Sequence, residues 1–591
     1  MENKQPVFSA KKQVIYYSRL VKYGVNNEVS VTLSEVAEMM FTSTRHCRTL
    51  LKQMHELGWV EWTPKVGRNQ RSTLYLKYSL AALKADLAQK MIAEGDYEKA
   101  LTLIDNDKAL FGQLLINTSG TQLREGQVHI QLTYDRNFSK LLPHIPQRNS
   151  ERFLLRQVYS CLTKCDKHGH VSTDLAHHWV YNEEALSWKF HLRPQLSFHD
   201  GSEINAEHIA NLFKRLKERY PFKKDLAHVE NITATSPLCI EFKLNKPDPG
   251  LAGIVADVRY SIQPITQLSS VTEVVGSGVF QIKEHSDKRL MLSANNHFHG
   301  YRALTDTVTI WQVPSQYNFK LGETNLDTEL ANEKLSSTCV NYVTLDNHQP
   351  SSQTDVYNQI EDGCLLGIFN YRANLSLLQR RQISYLLTTE DALKAELRAH
   401  SKYEIGAVTA QNILPSWVKV LSGMEVKTCL PPTLTIALFK HKALEGCANA
   451  ISAIMQKAGI QCEINCYSFS EFYSHAFANN LTEDLILTSL NFDDNLPSSM
   501  LCWMLSDPIL QQSLPENDRL WLEQKLVTLR SKHTLDNYLV ELEPISTALI
   551  TSHLLLPLFH HKQALHFKDL IKGVTINAWG WPELQNVWID Q

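Results

Sequence analysis

Nowhere in the 591 residues do apolar positions run uninterrupted for the ~18 that a membrane-spanning helix requires. The most apolar tract, Leu554 to Phe559, is bracketed by His553 and His560 and reads as a buried strand. The opening MENKQPVFSAKK lacks the apolar core of a secretion signal, so the chain is expected to stay in the cytoplasm and off the membrane. The eleven cysteines are odd in number and scattered, which argues against a disulfide framework. The two closest pairs, Cys161/Cys165 and Cys462/Cys466, are spaced CxxxC, and neither has a second pair at zinc-ribbon spacing. Reduced structural thiols are expected. GxSxG, Walker A and GxGxxG elements are missing, and the pairs His177/His178, His297/His299 and His560/His561 are not joined to carboxylates at HExxH spacing. No catalytic residue, cofactor or metal is therefore expected.

What the chain has is size and an uneven distribution of charge. Its length exceeds one core and calls for several domains, and 43% hydrophobic with 20% charged residues is the balance of a water-soluble protein. Residues 1–78 hold seven Lys and five Arg against six Glu and no Asp, a net +6 on a chain whose total is −3. A basic module on an otherwise acidic chain is the electrostatic footprint of nucleic-acid binding.

Within that module the spacing predicts a winged helix-turn-helix. Lys11 to Gly24 is an amphipathic helix with Val14, Ile15, Tyr17, Leu20 and Val21 inward. A short helix follows, opened by Thr32 or Ser34, with Val36, Met39 and Met40 as its apolar residues. Phe41 and Thr42 make the turn. A second helix runs from Ser43 to about Leu57, and Gly58 suits a left-handed cap. Cys47, Leu50, Leu51 and Met54 recur at helical spacing as the face to bury, while Ser43, Thr44, Arg45, Arg48, Thr49 and Lys52 form a basic, hydroxyl-bearing face suited to bases and phosphates. Trp59 to Trp62 and Thr73 to Leu76 are the strands of a hairpin whose loop carries Lys65, Arg68 and Arg71 toward DNA phosphate. Double-stranded promoter or operator DNA is the expected partner.

Residues 79–120 read as a helical connector, with two helices split at Gly95-Asp96 and a linker at Thr118 to Thr121. From Val128 short strands alternate with helices: a strand at 128–134, then a helix over Asn149–Leu162 opened by Asn149 or Ser150. In residues 175–216, Trp188, Phe190 and Leu192 alternate on one strand face, Asp200-Gly201 is a turn, and Asn205 is a helix N-cap. His199 and Asp200 are thus expected to be turn and packing residues.

The stretch LAHHWVYNEEALSWKFHLRPQLSFHDGSEINAEHI resembles the signature of the large periplasmic-type solute-binding proteins of oligopeptide, dipeptide and nickel importers. Gly276 to Phe280 through Tyr301, Gly367 to Asn370 with Arg381 to Ser384, and Ala448 to Cys466 resemble further segments in the family's order. With a DNA-binding module in front, the chain resembles the SgrR group of bacterial transcription regulators, linked to sugar-phosphate stress; residues 141–163 and the LAHHW run carry that likeness. The resemblance implies an α/β multidomain chain: a winged helix-turn-helix over 1–78, the connector over 79–120, and a two-lobed periplasmic-binding-protein-like domain of class II, oligopeptide-binding type, over 121–591. Lobe I would comprise about 121–310 and 490–591, and lobe II about 311–489.

It further implies a regulator that senses a small cytoplasmic solute such as a sugar phosphate. Asp493 and Asp494 stand where the transport relatives carry an acidic group near the cleft, and they suit a cationic or hydroxyl-rich ligand. A phosphate would instead use Arg136, Arg372 or Lys440. Tyr134, Asn370, Tyr371, Trp417 and Trp503 are candidate cleft walls. The alternative, a receptor for an oligopeptide or dipeptide importer, calls for an export signal or lipid anchor. A homo-oligomer is compatible with all of this.

Overall fold

The computed structural model describes the chain apart from residues 1–7, 66–69, 119, 125, 135, 271–272, 313–354, 401–406, 422–424, 568–570, 574–576, 578–580, 582 and 590–591. Its internal contacts divide it into two units, one of residues 8–137, 286–289 and 309–312, the other of residues 138–285, 290–308 and 355–591. The division falls after Asn137 and assigns two short pieces from far along the sequence to the N-terminal unit.

The first unit begins with α1 (Phe8–Leu20), β1 (Glu28–Val31), α2 (Leu33–Met39), α3 (Thr44–Glu56), β2 (Val60–Thr63) and β3 (Ser72–Leu76). The three strands form an antiparallel sheet in the order β1-β3-β2, with Leu74 opposite both Val29 and Trp62. The starts of α2 and α3 have side-chain causes. Thr32 caps α2 in a reciprocal box, its Oγ1 accepting from the Glu35 N–H at 3.2 Å while the Thr32 N–H donates to Glu35 Oε2 at 2.7 Å. Ser43 caps α3 by accepting from the His46 N–H. Gly58, at φ 76°, turns the chain out of α3.

Helices α4 (Leu80–Glu94), α5 (Tyr97–Leu103) and α6 (Lys108–Thr118) follow, where the sequence predicts two. Gly95, at φ 88°, closes α4 as anticipated; the second break comes at Asp105 and Asn106, both left-handed at φ 58° and 61°. The expected linker at 118–121 is instead the start of β4 (Gly120–Arg124), paired antiparallel with β5 (Gln127–Tyr134). Ser-Gly-Thr has turn chemistry, and the pairing with β5 overrides it.

One hydrophobic core runs through the whole unit. Tyr17, Val36, Met40, Cys47, Leu51, Met54 and Leu74 of the winged part join Leu83, Leu87, Met91, Leu103 and Leu115 of the helices, and Trp311 completes the cluster. Trp311 meets Tyr97 and Phe111 edge-on, with centroids 4.5 and 5.7 Å apart, and the Arg289 guanidinium lies 5.2 Å from its ring centre.

In the second unit, α7 (Asn149–Val158) precedes β6 (Thr163–Cys165), β7 (Val171–Thr173), β8 (Ala176–Asn182), β9 (Ser187–Leu192), α8 (Ala206–Lys217), β10 (Val229–Ser236) and β11 (Cys239–Leu244). The longer strands make an antiparallel sheet in the order β10-β11-β9-β8. Trp188, Phe190 and Leu192 are buried, and Asn205 caps α8 by accepting from the His208 N–H at 2.9 Å. Helix α7 ends at Val158, short of the predicted Leu162, because Tyr159 is extended. Past that end, the backbone of Gln157 and Val158 lies so close to Gly276 and Gly278 that a Cβ at either glycine would overlap it. The Gly-Ser-Gly motif therefore reflects a close backbone approach.

A second sheet orders its strands as Asp355–Ile360, Leu555–Phe567, Gly363–Phe369, Leu485–Asn491, Thr433–Phe439 and Gln461–Tyr467, with Ala407–Thr409 joined to Leu555–Phe567. Its pairing is antiparallel at the first end, whereas Thr433–Phe439 is parallel to both neighbours. The helix Lys442–Lys457 makes the crossover to Gln461–Tyr467, and Gly459 at φ 81° follows its C-terminus. Among the described residues no helix is long and apolar enough to cross a membrane.

Candidate nucleic-acid interface and solute site

Helix α3 separates its residues sharply by exposure. Cys47, Leu50, Leu51 and Met54 are buried, while Thr44, Arg45, Arg48, Thr49 and Lys52 are all exposed. Three of the five are cationic, and the first three lie in the first turn and a half, where a recognition helix meets base edges. Thr49 Oγ1 bonds back to the Arg45 carbonyl at 3.3 Å, and Lys52 makes only an exposed i,i+4 pair with Glu56 at 3.8 Å. Arg45 and Arg48 stand clear on the surface. Ser43 is committed to its cap, so its hydroxyl serves helix geometry first. In the turn, Phe41 is left-handed at φ 54° and 79% exposed, with the Arg19 guanidinium 5.1 Å from its ring centre.

The hairpin between β2 and β3 supplies the wing. Lys65 is exposed at its base, where its N–H donates to Ser72 Oγ at 3.1 Å. Arg68 lies outside the described residues. Arg71 reaches inward, donating to the Ser30 carbonyl and to Glu35 Oε1, each at 2.9 Å. It thereby ties the wing to β1 and to the first turn of α2. The backbone hydrogen bond from Thr32, aided by Arg71, holds the Glu35 carboxyl below its ordinary range.

The residues expected to contact a solute are dispersed. Tyr134 and Arg136 fall in the first unit, where the Arg136 guanidinium sits 5.2 Å from the Tyr134 ring centre. The other eight fall in the second. Asn370 is 1% exposed and caps a short turn, its Nδ2 donating to the Leu481 carbonyl at 3.0 Å and its Oδ1 accepting from the Arg372 N–H. Trp417 and Trp503 belong to the core, the latter edge-on to Phe492. Tyr371 is 57% exposed, Arg372 is exposed with a hydrogen bond to the Asn479 carbonyl, and Lys440 is exposed.

Asp493 and Asp494, adjacent in sequence, have unlike surroundings. Asp494 is exposed. Asp493 is buried and pairs through Oδ2 with Arg156 of α7, whose Nη1 also donates to the Ala256 carbonyl at 2.9 Å. Burial alone pushes the Arg156 guanidinium down in pKa, but the Asp493 charge outweighs it and raises the guanidinium above its ordinary value. The carboxylate is thus already matched inside the protein.

The chain joins two family domains. Residues 12–126 match the model described as sugar transport-related sRNA regulator N-term, and residues 170–320 match that of bacterial extracellular solute-binding proteins, family 5 middle. The HTH-type transcriptional regulator SgrR of Photorhabdus laumondii subsp. laumondii is 27% identical over 97% of this chain and 98% of its own length. Over nearly its whole length the chain is thus similar to SgrR-type transcription regulators. Among solved structures, Haemophilus influenzae OppA in complex with RPPGFSPFR superposes with a TM-score of 0.61 at 13% identity, covering 80% of this chain and all of that one. The Escherichia coli murein tripeptide binding protein MppA gives 0.59 at 15%, with the same coverage. At such identities the likeness shows the fold, that of class II periplasmic binding proteins.

Sequence reasoning missed the charged partners in the second unit. Arg156 interrupts the apolar run FLLRQVY, and a charge amid apolar neighbours is the one local signal that it must be paired. Glu361, 3% exposed, holds His561 Nδ1 at 2.8 Å and accepts from Asn491 at 2.9 Å. Nothing in the flanking sequence announces that triad, because its members lie far apart in the chain. Among the described residues no group of three or more His, Cys, Asp or Glu is placed to hold a metal. The described cysteines are free thiols, and burial pushes those of Cys161 and Cys165 up to about 12.

Proposed function

We propose that this SgrR-type chain acts in the cytoplasm, where α3 and the wing grip double-stranded promoter DNA and the solute-binding fold senses a small solute such as a sugar phosphate. The observation that carries the DNA half is the exposed array Thr44, Arg45, Arg48, Thr49 and Lys52 on a helix whose opposite face is wholly buried. Lys65 and Arg68 of the wing add backbone phosphate contacts, while Arg71 orients the wing. The solute half would use the accessible Tyr371, Arg372 and Asp494 of the second unit, with Asp493 setting loop geometry through Arg156. We place the module boundaries at about 78 and 120, and those of the lobes at about 310 and 490.

The coupling we infer is a population shift. Lobes that close on a ligand favour one presentation of the winged helix, and by linkage operator DNA alters ligand affinity by the same factor. The continuous core from the winged part through α4–α6 to Trp311 supports this reading, since a packed connector transmits movement where a loose tether does not. The test is a binding titration with R48A and K65A. R48A is expected to relax sequence preference at a cost of roughly 1–3 kcal/mol, and K65A to weaken all DNA alike and lower the salt slope by about one. Unchanged binding in both variants would remove the groove assignment.

A further inference from the structure

The sequence carries two histidine pairs for which neither DNA binding nor solute sensing has a use, His177/His178 and His297/His299. The fold brings one member of each to the same place. His177, Arg193, Pro194, Gln195 and His299 line an open groove of about 430 Å³ in the second unit. No carboxylate is among those five residues.

The cationic side of this groove is built and held. Arg193 donates from Nε to the Asp174 carbonyl at 2.8 Å and from Nη2 to Thr173 Oγ1 at 3.1 Å, which fixes its guanidinium while leaving Nη1 unused in these contacts. His299 bonds through Nε2 to Asp174 Oδ1 at 2.8 Å, so its ring is oriented and Nδ1 is the nitrogen left to face a ligand. Asp174 is 4% exposed; besides His299 it accepts from the Cys161 N–H at 2.9 Å and lies 4.0 Å from Lys164 Nζ. Its charge is therefore spent beneath the groove, where it anchors the donors.

Two backbone irregularities aim the remaining groups. The pairing of β8 with β9 slips between Ala176 and His178, so His177 is the extra residue of a bulge, a device that redirects a side chain. Gln195 adopts φ 57°, a left-handed conformation for a residue with a side chain, and it extends the rim directly after Pro194. His177 is exposed, with its ring centroid 6.4 Å from that of His191.

A fixed guanidinium with an unused N–H, two imidazoles and an amide around one polar groove is a donor set for an oxyanion. We propose that the groove lined by His177, Arg193, Gln195 and His299 is a binding site for a small oxyanion, the phosphate or carboxylate group of a metabolite. The site shares no residue with the DNA face or with Tyr371, Arg372 and Asp494, so it stands or falls independently of the function proposed above.

The experiment titrates the full chain with inorganic phosphate and, separately, with citrate by isothermal calorimetry. It is repeated on H177A, which removes an exposed ring, and on R193Q. Saturable binding of at least one anion is expected, weakened at least about tenfold in R193Q and several-fold in H177A. Phosphate alone would assign a phosphoryl group, citrate alone a carboxylate, and either supports the site. Thermal unfolding checks that the variants fold; should R193Q fail that check, H177A decides. Absence of saturable binding to both anions at millimolar concentration, or wild-type affinity in H177A, would overturn the proposal.

Discussion

Removing one member of the Arg156–Asp493 pair tests whether that carboxylate is structural. In R156M the methionine keeps the length of the side chain and its packing against α7's neighbours. Asp493, with its side chain 0% exposed, would lose the guanidinium that balances its charge, and the Ala256 carbonyl would lose a donor. Breaking a buried pair from one side costs about 3–5 kcal/mol, since the surviving charge stays desolvated. Arg156 retains 23% side-chain exposure, so water relieves part of that cost and the lower end of the range is expected. The companion R156M/D493L removes both charges and should recover most of the loss, because an apolar pair no longer carries a desolvated ion. Urea unfolding of wild type, R156M, D493L and the double variant, monitored by tryptophan fluorescence, gives the four corners of the cycle, with the transition of the second unit read at each. A single variant as stable as the wild type, or a double variant as unstable as the single, would refute the reasoning and return Asp493 to the candidates for ligand contact.

Three other outcomes follow from the same structure. W311A should cost about 3–5 kcal/mol through the cavity left between Tyr97 and Phe111, and hydrogen exchange should quicken across α4–α6 while the β8–β11 sheet stays protected; uniform exchange would deny the shared core. Burial alone drives the Asp248 carboxyl up, but Arg530 and His228 outweigh it and hold it at about 2, below the 3.8 of the free group. A depressed carboxyl contributes stability above its unfolded pKa that is lost as pH falls through the folded one, so the gap between wild type and D248N should shrink by about 2–3 kcal/mol from pH 5 to pH 2. A pH-independent gap would contradict it. T32A should loosen α2 by about 1 kcal/mol, seen as a lower urea midpoint of the first unit, and no change would mean the capping box is not what starts the helix.

The winged module was legible because its signals are local. Thr32, one of the two caps anticipated for α2, Ser43, the apolar spacing from Cys47 to Met54 and Gly58 all act within a few residues, and each occupies its expected role. Strand β1 was not foreseen: Glu28–Val31 is four residues long, and its identity comes from pairing with Ser72–Leu76. The same reason hid β4 behind a Ser-Gly-Thr turn signal. In the solute-binding fold, apolar alternation located the buried strand from Trp188 to Leu192 and motif resemblance marked the segment Ala448 to Cys466, but candidate cleft walls were chosen by residue type alone. Aromatic side chains such as Trp417 and Trp503 serve a core as readily as a cleft, and only long-range packing tells the two apart. The partner of Asp493 was missed for a related reason, since Arg156 lies in α7, far earlier in the chain.

The most direct measurement is fluorescence anisotropy of a labelled duplex from the chain's own upstream region, titrated with the purified full chain at low salt. The account predicts saturable binding that falls linearly with salt on a logarithmic plot and is lost or severely weakened when Arg45 and Arg48 are both replaced by Ala. Indifference of the intact chain to duplex DNA, or undiminished affinity in that double variant, would contradict it.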